Sequence, residues 1–438
     1  MVSIQLLLRC LAPHMDSTTW RRLNVIIPAI LSMTGRITML GISRWTGKGG
    51  SYRTIQRFFY SPTTWLTLHW CFIRSHIIDP DAVWLLAGDE TIVTKSGKNT
   101  FGLARFFSSL YGKTVPGLSF FALSLINVST RTSHPIHAKQ QQKPEKKKAD
   151  QTSSQETTKT QKRKPGRPKG SKNKNKAEVE LSPSLLFIQE MVRGVLALTG
   201  CVITIKYFVL DGAFGYNAAV QMVKQLGLHL ISKFQKNAEL YFPYKGPYAG
   251  RGPRRKYGDR IDYNQIPDEY LKETTTEEGI QTNTYQMKMW HKLFPKRLNV
   301  VVIHKTNLKT SATAHVVLFS TDLELAYDKI VDYYRLRFQI EFNFRDAKQY
   351  WGLEDFMNVT ECAVNNAVNL AFFMVNTSKA WIKQNKPDNP DFSIEDLKAC
   401  FRGQKYVDEI IKLLPKKPDP ILFSQINAKI ATLGSINT

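Results

Sequence analysis

Two carboxylates stand where apolar, strand-like runs give way to turns: Asp89 in WLLAGDET, just after Val83 to Ala87, and Asp211 in KYFVLDGAFG, after the run Ile203 to Leu210. A third acid is flanked by cations and a phenol. In the run Tyr334 to Lys348, a helical step of roughly 100° per residue sets Tyr334, Arg337, Glu341 and Lys348 within an arc of about 60°. Three acids from two strand ends and a helix form a donor set that hard divalent cations prefer. Two Mg²⁺ ions about 4 Å apart activate a nucleophile beside a phosphodiester and neutralise the departing oxygen. Arg337 and Lys348 suit phosphate gripping. Tyr334 suits a phosphate hydrogen bond, stacking on a base, or plain packing against a strand. Neither an H-E-x-x-H helix nor a G-x-x-x-x-G-K-[ST] phosphate loop occurs, and no nucleotide cofactor is expected.

Each acid has a bland alternative. Asp-Gly after a strand is a common turn, and Asp-Glu before Thr fits the wet end of a strand. Glu90 rivals Asp89 for the same role. The charged helix could be a solvated ion-pair ladder, but Phe338, Phe342 and Phe344 flank the stripe, which argues for a packed helix whose charges line a cleft.

The elements that must position these groups follow from the pattern. Strands are predicted at Val83 to Ala87, Leu118 to Val128, Ser133 to Lys139, Ile203 to Leu210 and His229 to Phe234. Helices are predicted at Pro183 to Leu198 and Tyr216 to Leu226, which gives an α/β layer arrangement with its acids at the carboxyl edge of the sheet. Three further strands, Thr282 to Trp290, Leu298 to His304 and Ala314 to Phe319, read as a β-rich inserted subdomain. A long helical stretch is expected from Leu323 to about Tyr350, followed by further helices, Ala363 to Lys383 among them. The N-terminal 75 residues carry helical periodicity, and Ile37 to Trp45 with Ser51 to Phe59 fits a helix-turn-helix, with Ser51 as N-cap and Arg53, Gln56 and Arg57 outward. Any short helical hairpin has the same look.

The spacing Y-x2-R-x3-E-x6-K, with Asp89 and Asp211 upstream in strand context, resembles the signature of the DDE transposases of bacterial insertion-sequence family four, over about Ala82 to Phe356. The resemblance implies an RNase H-like mixed sheet flanked by helices, with a β-rich insertion before the last catalytic helix. It implies Asp89, Asp211 and Glu341 as catalytic metal ligands, two Mg²⁺ ions with Mn²⁺ as a substitute, and cut-and-paste movement of DNA. The implied partners are double-stranded DNA, as element ends and target, and a second copy in a homodimer. A hairpin intermediate with a base turned out of the stack would give Trp290 a role as platform, although a strand tryptophan is more often core. Two other functions fit the same fold: an inactive architectural DNA-binding protein and a structure-specific DNA nuclease.

Composition agrees with a polyphosphate partner. The chain has 438 residues and a net charge of +25, an excess that folding does not require and that counterion release rewards. Between Lys139 and Lys176 lie 14 basic and 3 acidic residues with almost no apolar ones, so this arm cannot pack a core. Its Pro165-Gly166-Arg167-Pro168 resembles an AT-hook, with Arg167 suited to a narrow minor groove. A solvated basic linker is the alternative, and the arm is not part of the family's minimum pattern. Arg254 and Arg255, among interleaved tyrosines, add a second basic surface for DNA. Five scattered cysteines form no disulfide frame or zinc knuckle. With no apolar run long enough to span a membrane and no secretion signal at the start, a cytoplasmic, nucleoid-associated chain is expected.

The organisation expected is a helical DNA-binding region (1–75), a catalytic core in two parts (76–138 and 181–234) around the basic arm (139–180), the insertion (235–321), the catalytic helix region (322–360) and a helical C-terminal region (361–438).

Overall fold

A computed structural model describes all residues except 1–2, 48, 109–111, 143–174, 249, 387–388, 390, 417, 432, 434–435 and 437–438. The AT-hook-like motif and Arg167 lie outside the described residues.

The described residues open with the α-helices α1 (Ile4–Leu8), α2 (Ser17–Ser32), α3 (Met39–Trp45), α4 (Tyr52–Phe59) and α5 (Trp65–His76), with a 3-10 segment, Arg9–His14, between the first two. Asp16, Thr38 and Ser51 cap α2, α3 and α4 by accepting from backbone N–H groups one turn on. Four strands follow: β1 (Trp84–Thr94), β2 (Ala104–Ser108), β3 (Lys113–Asn127) and β4 (Thr132–Gln141). Next come α6 (Pro183–Thr199), β5 (Ile205–Val209), α7 (Asn217–Gln225) and β6 (His229–Phe234). Six more strands are β7 (Leu240–Pro243), β8 (Tyr257–Arg260), β9 (Leu271–Glu277), β10 (Ile280–His291), β11 (Leu298–Asn307) and β12 (Thr313–Ser320). Helices α8 (Tyr327–Leu336), α9 (Gln339–Gln349), α10 (Glu361–Asn385), α11 (Ile394–Leu413) and α12 (Pro420–Ile430) complete the chain. Among the described residues no helix is long and apolar enough to cross a membrane.

The twelve strands of the described residues join one mixed, mostly antiparallel sheet, in the order β2-β3-β1-β5-β6-β12-β11-β10-β7-β8, with β4 also on β3 and β9 also on β10. Within it, β4, β3, β1, β5 and β6 run side by side; β1, β5 and β6 are parallel, and β3 and β4 antiparallel. The strands of the expected insertion do not stand apart from this group. Val317 to Ser320 of β12 pair with Phe234 to Ile231 of β6, so the insertion extends the central sheet.

The two faces of the sheet bury different clusters. One, with Leu85, Ala87, Val209 and Ile231, lies under Ile330, Tyr333 and Leu336 of α8. The other, much larger, unites Trp84, Leu86 and Phe208 with α9, α10 and the N-terminal helices. This division splits the helical stretch expected from Leu323 to about Tyr350 into two helices. The helix stops at Leu336, turns through Arg337 and Phe338, and restarts at Gln339, because α8 belongs to one apolar cluster while Ile340, Phe344 and Ala347 of α9 belong to the other.

Candidate active site

Asp89 lies inside β1 and does not end it, contrary to the expectation from sequence. Register explains why it is accessible nonetheless. β1 pairs with β3 along its whole length, with Asp89 opposite Ala122, whereas its pairing with β5 ends at Ala87 opposite Val209. Beyond Ala87 the β5 side of the strand is open, and Asp211, two residues past the end of β5, lies at that opening. Period-two alternation turns Asp89 to the same face as Leu85 and Ala87 and sends Glu90 to the opposite one. There Glu90 accepts a hydrogen bond from the Ser119 hydroxyl. That turns Glu90 away from the face that carries Asp89.

Asp211 caps the single 3-10 turn Gly212–Phe214, with Oδ1 accepting from the Ala213 N–H at 3.1 Å, while the Ser232 hydroxyl donates to its backbone oxygen at 2.6 Å. A β-carbon on Gly215 would stand 2.6 Å from the Lys233 carbonyl oxygen, so this turn lies directly against β6. Glu341 sits in the first turn of α9, aimed by the break that the sequence reading missed. Tight hydrogen bonds, Ile340 N–H to the Arg337 oxygen at 3.0 Å and Glu341 N–H to the Phe338 oxygen at 3.0 Å, carry the chain through it.

Asp89 is the hub. Its Oδ1 accepts from the Glu90 N–H at 2.8 Å, its Oδ2 accepts from Arg337, and only 18% of its side chain is exposed. Burial raises the Asp211 carboxyl above the usual range, and the charge of Asp89 raises it further against the opposing pull of Arg337 and Lys233. Glu341 is raised in the same way, by burial first and then by the charge of Asp89. The three acids predicted from sequence therefore share one electrostatic neighbourhood. Among the described residues, no three His, Cys, Asp or Glu side chains form a ready-made metal cage; the acids interact through Asp89, with Asp211 on one hand and Glu341 on the other.

Arg337 belongs to the same group: its Nε is buried and makes no hydrogen bond among the described residues. Tyr334 is raised by burial, with Arg337, Asp211 and Asp89 all in electrostatic range. Lys348 donates to the Ile92 carbonyl oxygen at 2.9 Å and stands 3.4 Å from Glu354, while its charge still reaches Glu341. Of the aromatic flank, Phe344 is buried but Phe338 is 56% exposed and packs edge-on against Phe342.

The remaining candidates lie on the insertion. Arg254 sits over the ring of Tyr248 and Arg255 over that of Tyr244, both exposed. Trp290 is half-buried, edge-on to Tyr257 with centroids 5.9 Å apart, and the Lys256 ammonium lies over it. Neither arginine nor Trp290 contributes to the acidic group. Sequence reading passed over Lys233, whose charge acts on Asp211; the only signal was its place in the short basic run after Ile231, one strand beyond the second acid.

A family model described as DDE superfamily endonuclease matches residues 10–295, well over half of the chain. The match contains Asp89 and Asp211 and ends before Glu341. No curated protein matches the chain.

Proposed function

The chain belongs to the DDE superfamily endonucleases, and from that membership we propose a DNA transposase that cleaves the ends of a mobile element and joins them to a target. Divalent metal ions are general to this superfamily and DNA is its implied substrate. The finer reading is that of an insertion-sequence transposase on an RNase H-like core. The strand order β4-β3-β1-β5-β6, with β1, β5 and β6 parallel, supports that core. The observation that carries the function is the coupling of Asp89, Asp211 and Glu341, brought from mid-strand, strand end and helix start into one group beside Arg337.

The donor set fits divalent cations. It consists of hard carboxylate oxygens, and two of the acids are held up by burial and by Asp89, a tension that a bound cation relieves. Asp89, Asp211 and Glu341 would hold two Mg²⁺ or Mn²⁺ ions in this reading. When bound, such ions lower the pKa of the attacking water or 3′-hydroxyl and neutralise the departing oxygen. The chain's own groups do the rest. Arg337 holds Asp89 in place and has a buried, unused donor for a phosphate oxygen. Tyr334 lies within electrostatic range of Arg337, Asp211 and Asp89, and Lys348 fixes the far end of α9 to β1. A homodimer would hold two ends together, and the helices α3 and α4, with Arg53 and Arg57 exposed, would serve end recognition.

The test is strand cleavage of the DNA flanking the coding region, with Mg²⁺ and with EDTA. Cleavage at both ends of a repeat-bounded segment, followed by joining to a target, is expected. Cleavage indifferent to end sequence would replace transposition with a structure-specific nuclease.

A further inference from the structure

An open cleft of 630 Å³ touches Asp211 but none of Asp89, Arg337 or Glu341. It runs from the Asp211 turn along the end of β6 to β12 and is lined by Lys233, Gln235, Lys236, His315 and Val316, among others. We infer that this cleft is a phosphate-binding track for one strand of the DNA where it passes Asp211, with Lys233 and Lys236 taking successive backbone phosphates. The inference rests on the reading of Asp211 as a metal ligand.

Charge is the first support. Among the described residues Asp211 is the sole acid on the cleft wall, against two lysines, and cations seated at Asp211 would make the balance more positive. Both lysines are exposed, and among the described residues neither ammonium has a salt bridge or hydrogen bond, so each is available to an anion. Placement is the second. The Lys233 side chain lies so close over Gly212 that a β-carbon there would be 3.1 Å from its Cε, which keeps the ammonium beside the acidic turn. Rigidity is the third. His315 bonds the Lys236 carbonyl oxygen at 2.7 Å and stacks on Tyr263 with centroids 4.5 Å apart and planes 12° off parallel. That contact fixes the wall from which Lys236 projects. Val316, 41% exposed, leaves an open apolar strip that suits sugars.

Counterion release gives a readout separate from catalysis. The affinity of the full chain for a fluorescein-labelled duplex with a short single-stranded 3′ end is measured in EDTA across a salt series. Each lost phosphate contact lowers the log–log salt slope by about 0.7 on single strands and 0.9 on duplex. Lys233→Gln with Lys236→Gln should therefore lower the slope by about 1.4–1.8, and the double arginine variant should restore it. Val316→Glu, which removes no lysine but puts a carboxylate on the wall, should weaken binding several-fold. Melting curves confirm that each variant is folded. A parental slope in the glutamine variant, with Val316→Glu binding as the parent does, overturns the track, even if Asp211→Asn abolishes cleavage. The converse pattern, a reduced slope with undiminished cleavage by Asp211→Asn, sinks the metal-ligand reading and leaves the track as a DNA contact only.

Discussion

Asp89 has more to satisfy than its two partners, since Arg337, the Glu90 N–H and Glu341 all converge on it. The Asp89→Asn, Asp211→Asn and Glu341→Gln variants should each lower Mg²⁺-dependent cleavage by about 10³-fold or more, and largely non-additively. Duplex binding in EDTA should stay near the parental level. A variant that cleaves normally takes that residue out of the site. The raised carboxyls of Asp211 and Glu341 also make a stability statement. A folded state that holds a proton more tightly than the unfolded one gains stability at low pH and loses it as pH rises through the folded value. Without metal, Asp211→Asn should therefore melt above the parent at neutral pH, with the advantage shrinking toward the ordinary carboxylate value of 3.8. Mg²⁺ should reverse the ranking, since a ligand at 100 times its dissociation constant stabilises the parent by about 2.7 kcal/mol. A metal-free melting curve for Asp211→Asn that tracks the parent at every pH would refute the repulsion.

At the scale of elements, α9 is held by a polar seam. Asn343, fully buried, donates to the hydroxyls of Ser124 and Ser133 and accepts from the Lys379 ammonium at 2.8 Å. Burial pulls Lys379 down to about 8. Asn343→Leu leaves that ammonium and two hydroxyls short of partners and should cost about 3 kcal/mol in urea unfolding. Adding Lys379→Met should recover part of the loss, and strictly additive costs would mean that the seam is not a unit. The Asp211 turn is constrained by backbone contact instead. Gly215→Ala must displace the turn from the Lys233 carbonyl, so cleavage should fall by roughly ten- to a hundredfold, since a misplacement of about 1 Å can cost about 10²-fold, while the circular-dichroism spectrum stays native.

Across the whole molecule, the helices at the two ends of the sequence close over one face of the sheet. Asn366 of α10, with no exposure, accepts from the Trp65 indole at 2.8 Å and donates to the backbone oxygens of Phe59 and Ser61 at 2.7 and 2.8 Å. α11 lies on α2, with Arg402 donating to the Ser32 carbonyl oxygen. The N-terminal helices are thus part of the main core. Deleting residues 1–75 should yield insoluble protein, and Asn366→Leu should lower stability by about 2–3 kcal/mol. A soluble, cooperatively melting deletion would show that the core stands without them.

The strand before Asp211, the start of the strand that holds Asp89 and the helical character of the stretch around Glu341 were legible in the sequence, because apolar periodicity is a local signal; the position of Asp89 within β1 was not. β6 matches its expected span, His229 to Phe234, and β10, β11 and β12 differ only at their ends. What the sequence could not carry was pairing. The openness beside Asp89 depends on where β5 stops, the separation of Glu90 on which face β3 leaves to it, and the break at Arg337 on two apolar clusters lying on opposite faces of the sheet. Each is a long-range relation between segments whose own residues suit either outcome, so only the folded chain could decide it.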